Sequence, residues 1–137
     1  MARRVLASAL ESKAIMRAAV VRIVANPDGE SSFVDGDAAL VPPDIAPPAG
    51  LLGASDPRTA TATRFIGAPA GWDSAPHPAP SVRWVIVLRG TVEVRTTDGS
   101  VRTFGPGAAI HLEDTTGPGH ATRVLPGDDW VAFIIFE

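Results

Sequence analysis

Hydrophobic and polar residues alternate in short runs along the second half of the chain, which is typical of β-strands. Turns rich in Gly, Pro and Asp separate the runs, and Asp98-Gly99 has the composition of a tight hairpin turn. Many short strands at this spacing predict an all-β barrel or jelly roll. The predicted strands are Ala18–Ala25, Thr61–Ile66, Val82–Leu88, Thr91–Thr96, Ser100–Phe104, Ala108–Leu112, Ala121–Leu125 and Trp130–Phe136.

Two segments lie outside this strand pattern. Residues 1–17 are predicted to be a short N-terminal helix or leader, because Ser8 and Glu11 have capping-box spacing. Residues 35–62 contain two Pro-Pro pairs, which exclude a helix or a central strand, and they predict an extended loop with a Pro-rich part at 41–57. Residues 18–137 are expected to form a single domain, since a chain of this size suits one hydrophobic core.

Composition narrows the classes of function. The chain has 137 residues, 12 Lys and Arg against 15 Asp and Glu, a net charge of −3 and no cysteine. The acidic balance argues against a nucleic-acid binder that relies on phosphate contacts. The lack of cysteine excludes a disulfide scaffold, an iron–sulfur cluster, a cysteine nucleophile and Cys-ligated zinc. No apolar run approaches the ~20 residues of a membrane helix, so we expect a cytoplasmic protein that does not bind membranes.

The first chemical motif lies at Gly71–Gly90, which reads GWDSAPHPAPSVRWVIVLRG. It resembles the first motif of the cupins, in which Gly is followed by His-x-His, by Glu or Gln, and by a second Gly. His77 occupies the first His position, whereas Ala79 stands at the second and Arg83 at the Glu position.

The second motif lies at Gly107–His120, which reads GAAIHLEDTTGPGH and resembles the second cupin motif with its Gly-x-x-His ending. The segment is two residues longer than usual, and Glu113 replaces the customary proline. The chain thus resembles small single-domain bacterial cupins of the RmlC-like jelly-roll superfamily, and most clearly over residues 71–123. The resemblance implies a cupin-type double-stranded β-helix, a jelly-roll barrel that forms a homodimer. Further matching segments are His77–Pro80, Asp98-Gly99, Phe104–Gly107 and Glu113 through Thr122.

The resemblance also implies a divalent metal held by three His and one Glu, but the ligands are depleted. Only His77 and His120 remain on the ligand frame, and Arg83 would place a permanent cation beside the ion. Two imidazoles and a guanidinium make a poor metal site, so no cofactor is favoured. The alternative is a metal-dependent dioxygenase or lyase that holds Fe, Mn, Zn or Ni with these histidines and with His111 or an acid.

Without a metal, an arginine inside the barrel needs an anionic partner, because burying an unpaired charge is costly. That partner is either an internal acid (Glu93, Glu113 or Asp114) or an anionic group of a ligand held by the guanidinium of Arg83. His120 and His77 are the candidate catalytic residues, because imidazole moves protons near neutral pH. The further candidates for substrate binding are Arg83, Glu93, Arg64, His111 and Thr122.

These residues predict an enzyme for metal-independent acid–base chemistry: a cyclisation, isomerisation or dehydration. Its substrate would be a small, anionic, carbonyl-containing metabolite, such as a polyketide or an aromatic natural-product intermediate. A non-catalytic cupin that binds a small molecule is the remaining alternative.

Alternation along the strand that carries Arg83 predicts its two faces. If Arg83 points into the barrel, Val85 and Val87 do so as well, while Trp84, Ile86 and Leu88 point outward. An apolar outer face needs a second sheet or subunit to cover it, which favours a homodimer.

Overall fold

The computed structural model describes residues 14–42 and 52–137, and these form nine strands and no helix. Accordingly, no helix in these two ranges is long and apolar enough to cross a membrane. Most of the predicted helix at 1–17 lies outside the described residues, and the first strand already begins at Met16. The strands are β1 (Met16–Ala25), β2 (Ser31–Leu40), β3 (Ala62–Ala68), β4 (Arg83–Arg89), β5 (Val92–Thr96), β6 (Val101–Phe104), β7 (Ala109–Leu112), β8 (His120–Val124) and β9 (Trp130–Phe136).

The strands form two sheets. The larger has the order β2-β1-β7-β4-β9-β3, and the smaller has the order β6-β5-β8. β1 pairs with β7 in parallel, whereas β4 pairs antiparallel with both β7 and β9, and β5 pairs antiparallel with both β6 and β8. The prediction of an all-β jelly-roll barrel is therefore confirmed.

The hydrophobic core consists of alternate residues on strands of both sheets. Val85 and Val87 of β4 are buried, whereas Leu88 on the same strand is 48% exposed, so the predicted alternation on this strand is correct. Whether a second subunit covers the outer face stays a prediction. The core side chains are Ile23, Val85, Val87, Val92, Val94, Phe104, Ile110, Val124, Trp130, Ala132 and Ile134.

The described chain forms two compact units. The smaller consists of residues 14–19, 37–42 and 52–58, and the larger consists of residues 20–36 and 59–137. In the smaller unit, Val41 and Ala54 exchange two backbone hydrogen bonds of 2.9 and 2.7 Å. The described ends of the Pro-rich segment are therefore held together by a β-bridge. The larger unit contains all of the residues of the candidate site.

The prediction of a loop from residue 35 is wrong for residues 35–40, which belong to β2. Asp35-Gly36-Asp37 has little intrinsic strand propensity, so the local sequence does not reveal this strand. A turn closed by a hydrogen bond from Gly29 N to Asn26 O (2.9 Å) sets β2 beside β1. Arg102 also donates two hydrogen bonds of 2.6 and 3.0 Å to the carboxylate of Asp35. Tertiary pairing therefore overrides local propensity at this sheet edge.

Candidate functional site

A cavity of about 250 Å³ lies inside the barrel and is lined by strands of both sheets. Most of its lining is apolar. The lining contains five of the residues that the sequence nominated. They are the arginine, histidine and hydroxyl side chains Arg64, His77, Arg83, His120 and Thr122.

His120 is the first residue of β8, and its side chain is held by a buried carboxylate. Its Nδ1 lies 2.6 Å from Oδ2 of Asp114, which is fully buried. Because Nδ1 is occupied, Nε2 is the ring nitrogen that remains for the cavity. The other oxygen of Asp114, Oδ1, is buried and has no hydrogen-bond partner in the described part of the chain. The imidazole is therefore oriented by one strong partner.

Gly119 allows the chain segments carrying the two cavity histidines to approach each other. Its φ is +71°, and a Cβ at this position would collide with the carbonyl oxygen of His77. The backbones of His77 and His120 exchange two hydrogen bonds of 3.1 and 3.2 Å, and their ring centroids lie 5.8 Å apart. Only glycine fits this contact, since any side chain would collide with backbone.

Ser31, the first residue of β2, is a buried residue beside these histidines that sequence reasoning missed. It donates a hydrogen bond of 2.7 Å from Oγ to the carbonyl of Gly119 and accepts one of 2.9 Å from the backbone N–H of Thr97. It thereby fixes the peptide that precedes His120. No local pattern distinguishes this serine, because its partners lie 66 and 88 residues away.

Arg64 and Arg83 present their guanidinium groups to the ring of Phe136. The Cζ atoms lie 5.5 and 4.7 Å from the ring centroid, respectively. Arg83 also donates hydrogen bonds of 3.0 Å to the backbone carbonyl and the hydroxyl of Ser81. Burial, and then the neighbouring charge of Arg64, lower the pKa of Arg83. Among residues 14–42 and 52–137, no carboxylate forms an ion pair with either guanidinium.

Glu93 does not join this cavity. It binds Arg95 at 2.9 Å and Arg123 at 3.2 Å, and it lines a separate cavity of about 360 Å³. Its neighbours Val92 and Val94 point into the barrel, so the two-residue period of a strand places Glu93 on the opposite face. Glu93 is therefore not the counterion of Arg83.

His111 is also placed away from the cavity, because its neighbours Ile110 and Leu112 are the β7 residues that line it. Nδ1 of His111 lies 2.6 Å from Oε2 of Glu113, and Nε2 lies 3.0 Å from Oε1 of Glu137. The centroid of the Trp84 ring is 4.4 Å from that of the imidazole.

Arg22 completes this arrangement with hydrogen bonds of 2.6 and 2.8 Å to the carboxylate of Glu113. These contacts, led by the hydrogen bond from Arg22, lower the pKa of Glu113 to about 2. We call Arg22, Trp84, His111, Glu113 and Glu137 the outer cluster.

The donor set does not fit the metal implied by the cupin resemblance. The second His position holds Ala79, which is buried and has no ligand atom. The Glu position holds the cation Arg83. The described residues contain no group of three or more His, Asp or Glu side chains arranged to hold one ion. We therefore assign no chemical step to a metal, and the preference for a protein without a cofactor stays a prediction.

No family model and no curated protein matches the sequence. Similar solved structures include an RmlC-like cupin family protein with a double-stranded β-helix fold from Methanocaldococcus jannaschii (15% identity, TM-score 0.47, 54% of this chain and 66% of that chain). The DMSP lyase DddQ from Ruegeria pomeroyi aligns at 26% identity and a TM-score of 0.48, over 64% of this chain and 42% of that one. A Cupin_2 domain of an XRE family transcriptional regulator from Enterobacter cloacae aligns at 24% identity and a TM-score of 0.38. The alignment covers 55% of this chain and 77% of that one. In its own strand order, with a cavity between the two sheets, this chain has a cupin-type jelly-roll fold.

Proposed function

We propose that this protein is an enzyme that binds a small organic anion in the barrel cavity and moves protons on it without a metal. One observation carries the proposal: two guanidinium groups without a carboxylate partner in the described chain line the same cavity as an imidazole held by a carboxylate. His120 is the proposed base, and Arg64 and Arg83 are the proposed anion site.

The two arginines support an anionic substrate. Both guanidinium groups lie against the ring of Phe136, where their like charges repel each other. Arg83 is also partly removed from water, whereas Arg64 is exposed. A carboxylate, phenolate or enolate would offset this repulsion, and the planar guanidinium matches such groups with paired hydrogen bonds. The internal acids considered from the sequence are engaged elsewhere: Glu93, Glu113 and Asp114 bind other side chains.

The Asp114–His120 pair supports proton transfer. A carboxylate that accepts a hydrogen bond from Nδ1–H leaves the lone pair on Nε2 and stabilises the imidazolium that forms when Nε2 takes a proton. In the proposed step, Nε2 removes a proton from the carbon beside a carbonyl group, and the electrons of the broken C–H bond form an enolate. Arg83 stabilises its negative charge. Return of the proton to another atom completes an isomerisation, with the exposed His77 as the proposed second proton carrier.

The size and lining of the cavity limit the substrate. Its volume of about 250 Å³ is below the ~300–1,000 Å³ typical of pockets for drug-sized ligands, and its walls are mainly apolar. A small acid with an apolar body fits this description. We therefore retain the class of polyketide or aromatic natural-product intermediates as the proposed substrate.

The test uses 4-phenyl-2-oxobutanoate, which combines a carboxylate, a ketone and acidic protons at C3. The wild-type protein should speed exchange of these protons for deuterium in D₂O, followed by proton NMR, and the rate should not change in EDTA. His120→Gln should lower the exchange rate by about 10²-fold or more, because the base is lost. Arg83→Gln should weaken binding by about tenfold, because a charge-assisted contact is lost.

Glu93→Gln is the control, because this side chain lies outside the cavity, and it should exchange at the wild-type rate. Binding without any exchange would contradict the enzyme proposal and favour the non-catalytic cupin. Loss of exchange in EDTA with recovery on adding Mn, Fe, Zn or Ni would contradict the metal-free proposal.

A further inference from the structure

Trp130, the first residue of β9, has a hydrogen-bond donor that the proposed mechanism does not use. Its side chain lines the barrel cavity and is only 8% exposed. Its indole Nε1 is buried and has no hydrogen-bond partner among residues 14–42 and 52–137. Buried tryptophan N–H groups usually have a partner, so this group is suited to an acceptor that arrives with a ligand.

The strand register places Trp130 at the other end of the cavity from the arginines. Arg64 lies opposite Ile134, and Arg83 lies opposite Phe136, whereas Trp130 lies opposite Ala68. Ile134 and Trp130 are four residues apart on β9, which corresponds to roughly 13 Å along a strand. The cavity therefore has cations at one end and an indole N–H at the other.

The lining between these two ends is largely apolar, and its one hydroxyl side chain, Thr122, lies opposite Val94. It includes Ile66, Val85, Val92, Val94 and Ile134, which are hydrocarbon side chains that cannot pair with a polar group. A ligand that spans the cavity would therefore need an apolar middle, because a polar group buried there without a partner is unfavourable.

We propose that Trp130 selects ligands that carry an acceptor oxygen at the end remote from the anion, which accepts a hydrogen bond from Nε1–H. This inference rests on the proposed function, because the arginines fix where the anion binds. The substrate class is an elongated acid with an apolar body and a terminal carbonyl, ether or hydroxyl oxygen. A hydrocarbon at that end leaves the indole N–H unpaired, and sites that hydrogen-bond a ligand group discriminate against analogues lacking it.

The experiment compares two nearly isosteric acids, 4-(4-methoxyphenyl)butanoate and 4-(4-ethylphenyl)butanoate, by isothermal titration calorimetry. The wild-type protein should bind the methoxy acid about threefold to tenfold more tightly, as expected for one net hydrogen bond. Trp130→Phe should bring the ratio of the two dissociation constants close to one. Trp72→Phe, which changes another indole in the lining of the same cavity, should retain the wild-type ratio.

The outcomes separate this inference from the proposed function. Equal binding of both acids by the wild type, with weaker binding of both by Arg83→Gln, would overturn the role of Trp130 and leave the anion site intact. Failure of the wild type to bind either acid would overturn the anion site and this inference together.

A spectroscopic measurement keeps the inference testable if Trp130→Phe does not fold. In wild-type protein labelled with ¹⁵N at the indole nitrogens, the Trp130 N–H signal should move downfield with the methoxy acid only. The same shift with both acids would contradict the hydrogen bond.

Discussion

His120 and His111 lie nine residues apart and are almost equally buried, with exposures of 5% and 6%. In each, Nδ1 lies 2.6 Å from a carboxylate oxygen. The two histidines differ at Nε2. In His111 this atom lies 3.0 Å from Oε1 of Glu137, whereas in His120 it is the ring nitrogen that can contact a ligand in the cavity. The second carboxylate makes His111 a link between strands, whereas the single carboxylate beside the cavity leaves Nε2 of His120 for its proposed role as a base.

The two surroundings also differ in how well their polar atoms are satisfied. The outer cluster joins β1, β4, β7 and the residue after β9, and Arg22 binds both oxygens of Glu113. In the inner pair, Oδ1 of Asp114 is buried without a described partner. Satisfied polar networks stabilise a fold, and sites that leave groups unpaired are frequently functional. We therefore propose that the outer cluster stabilises the fold and that the inner pair carries the chemistry.

The largest effect is expected from Asp114→Asn. The amide cannot stabilise the imidazolium of His120, and its NH₂ group favours the wrong tautomer, so the exchange rate at C3 of 4-phenyl-2-oxobutanoate should fall by about 10²–10⁴-fold. Glu113→Gln, the matched change in the outer cluster, should keep the rate within about twofold of wild type, because Glu113 does not line the cavity. Similar losses in both variants would contradict the division of roles.

Gly119→Ala should destabilise the protein, because Gly119 lies where the chain segments of His77 and His120 approach each other. The new Cβ would collide with the carbonyl oxygen of His77, so the free energy of unfolding in urea should fall by about 2–4 kcal/mol. Gly107→Ala is the control, because Gly107 also has a positive φ (+93°) but has no atom within 4 Å of the added Cβ. Its loss should be only about 1–2 kcal/mol. Equal losses would show that the close approach to His77 contributes nothing.

The smallest effect is the pH dependence of the outer cluster. The pKa of Glu113 is lowered from 4.5 to about 2 in the folded protein, so its contacts stabilise the fold above pH 4.5. This contribution should be lost as the pH falls from 4.5 through 2, and partial exposure of the ion pair keeps it modest.

The measurement is the difference in unfolding free energy between wild type and Glu113→Gln from pH 6 to pH 2. The difference should shrink towards acid. A difference that stays constant with pH would contradict the lowered pKa.

Much of the fold could be predicted from the sequence, because alternation and turn composition are local. Eight of the nine strands fall on predicted apolar runs, and β9 has the predicted bounds Trp130–Phe136. The same two-residue period assigns Val85 and Val87 to the interior. It fails for β2, where polar residues form a strand only because β1 lies beside them.

The candidate site was only partly predictable. The motifs nominated His77, Arg83 and His120 for the cavity, but the sequence also nominated Glu93 as an internal acid and His111, and both lie elsewhere. Side chains alternate between the two faces of a strand, and both neighbours of Glu93, Val92 and Val94, face inward. This alternation could have excluded Glu93 from the candidate cavity residues.

The choice of partners was decided by the tertiary structure alone. Glu113 and Asp114 are adjacent in the sequence, yet one binds Arg22 on the outer side and the other binds His120. Arg64 and Arg83 meet at Phe136 because β3 and β4 flank β9 on either side. The sequence by itself determined eight of the nine strands of the described residues and the inner and outer faces of β4, because these follow from local periodicity. Which charges meet depends on the pairing of strands far apart in the chain, and this distinguishes the proposed base from the structural histidine.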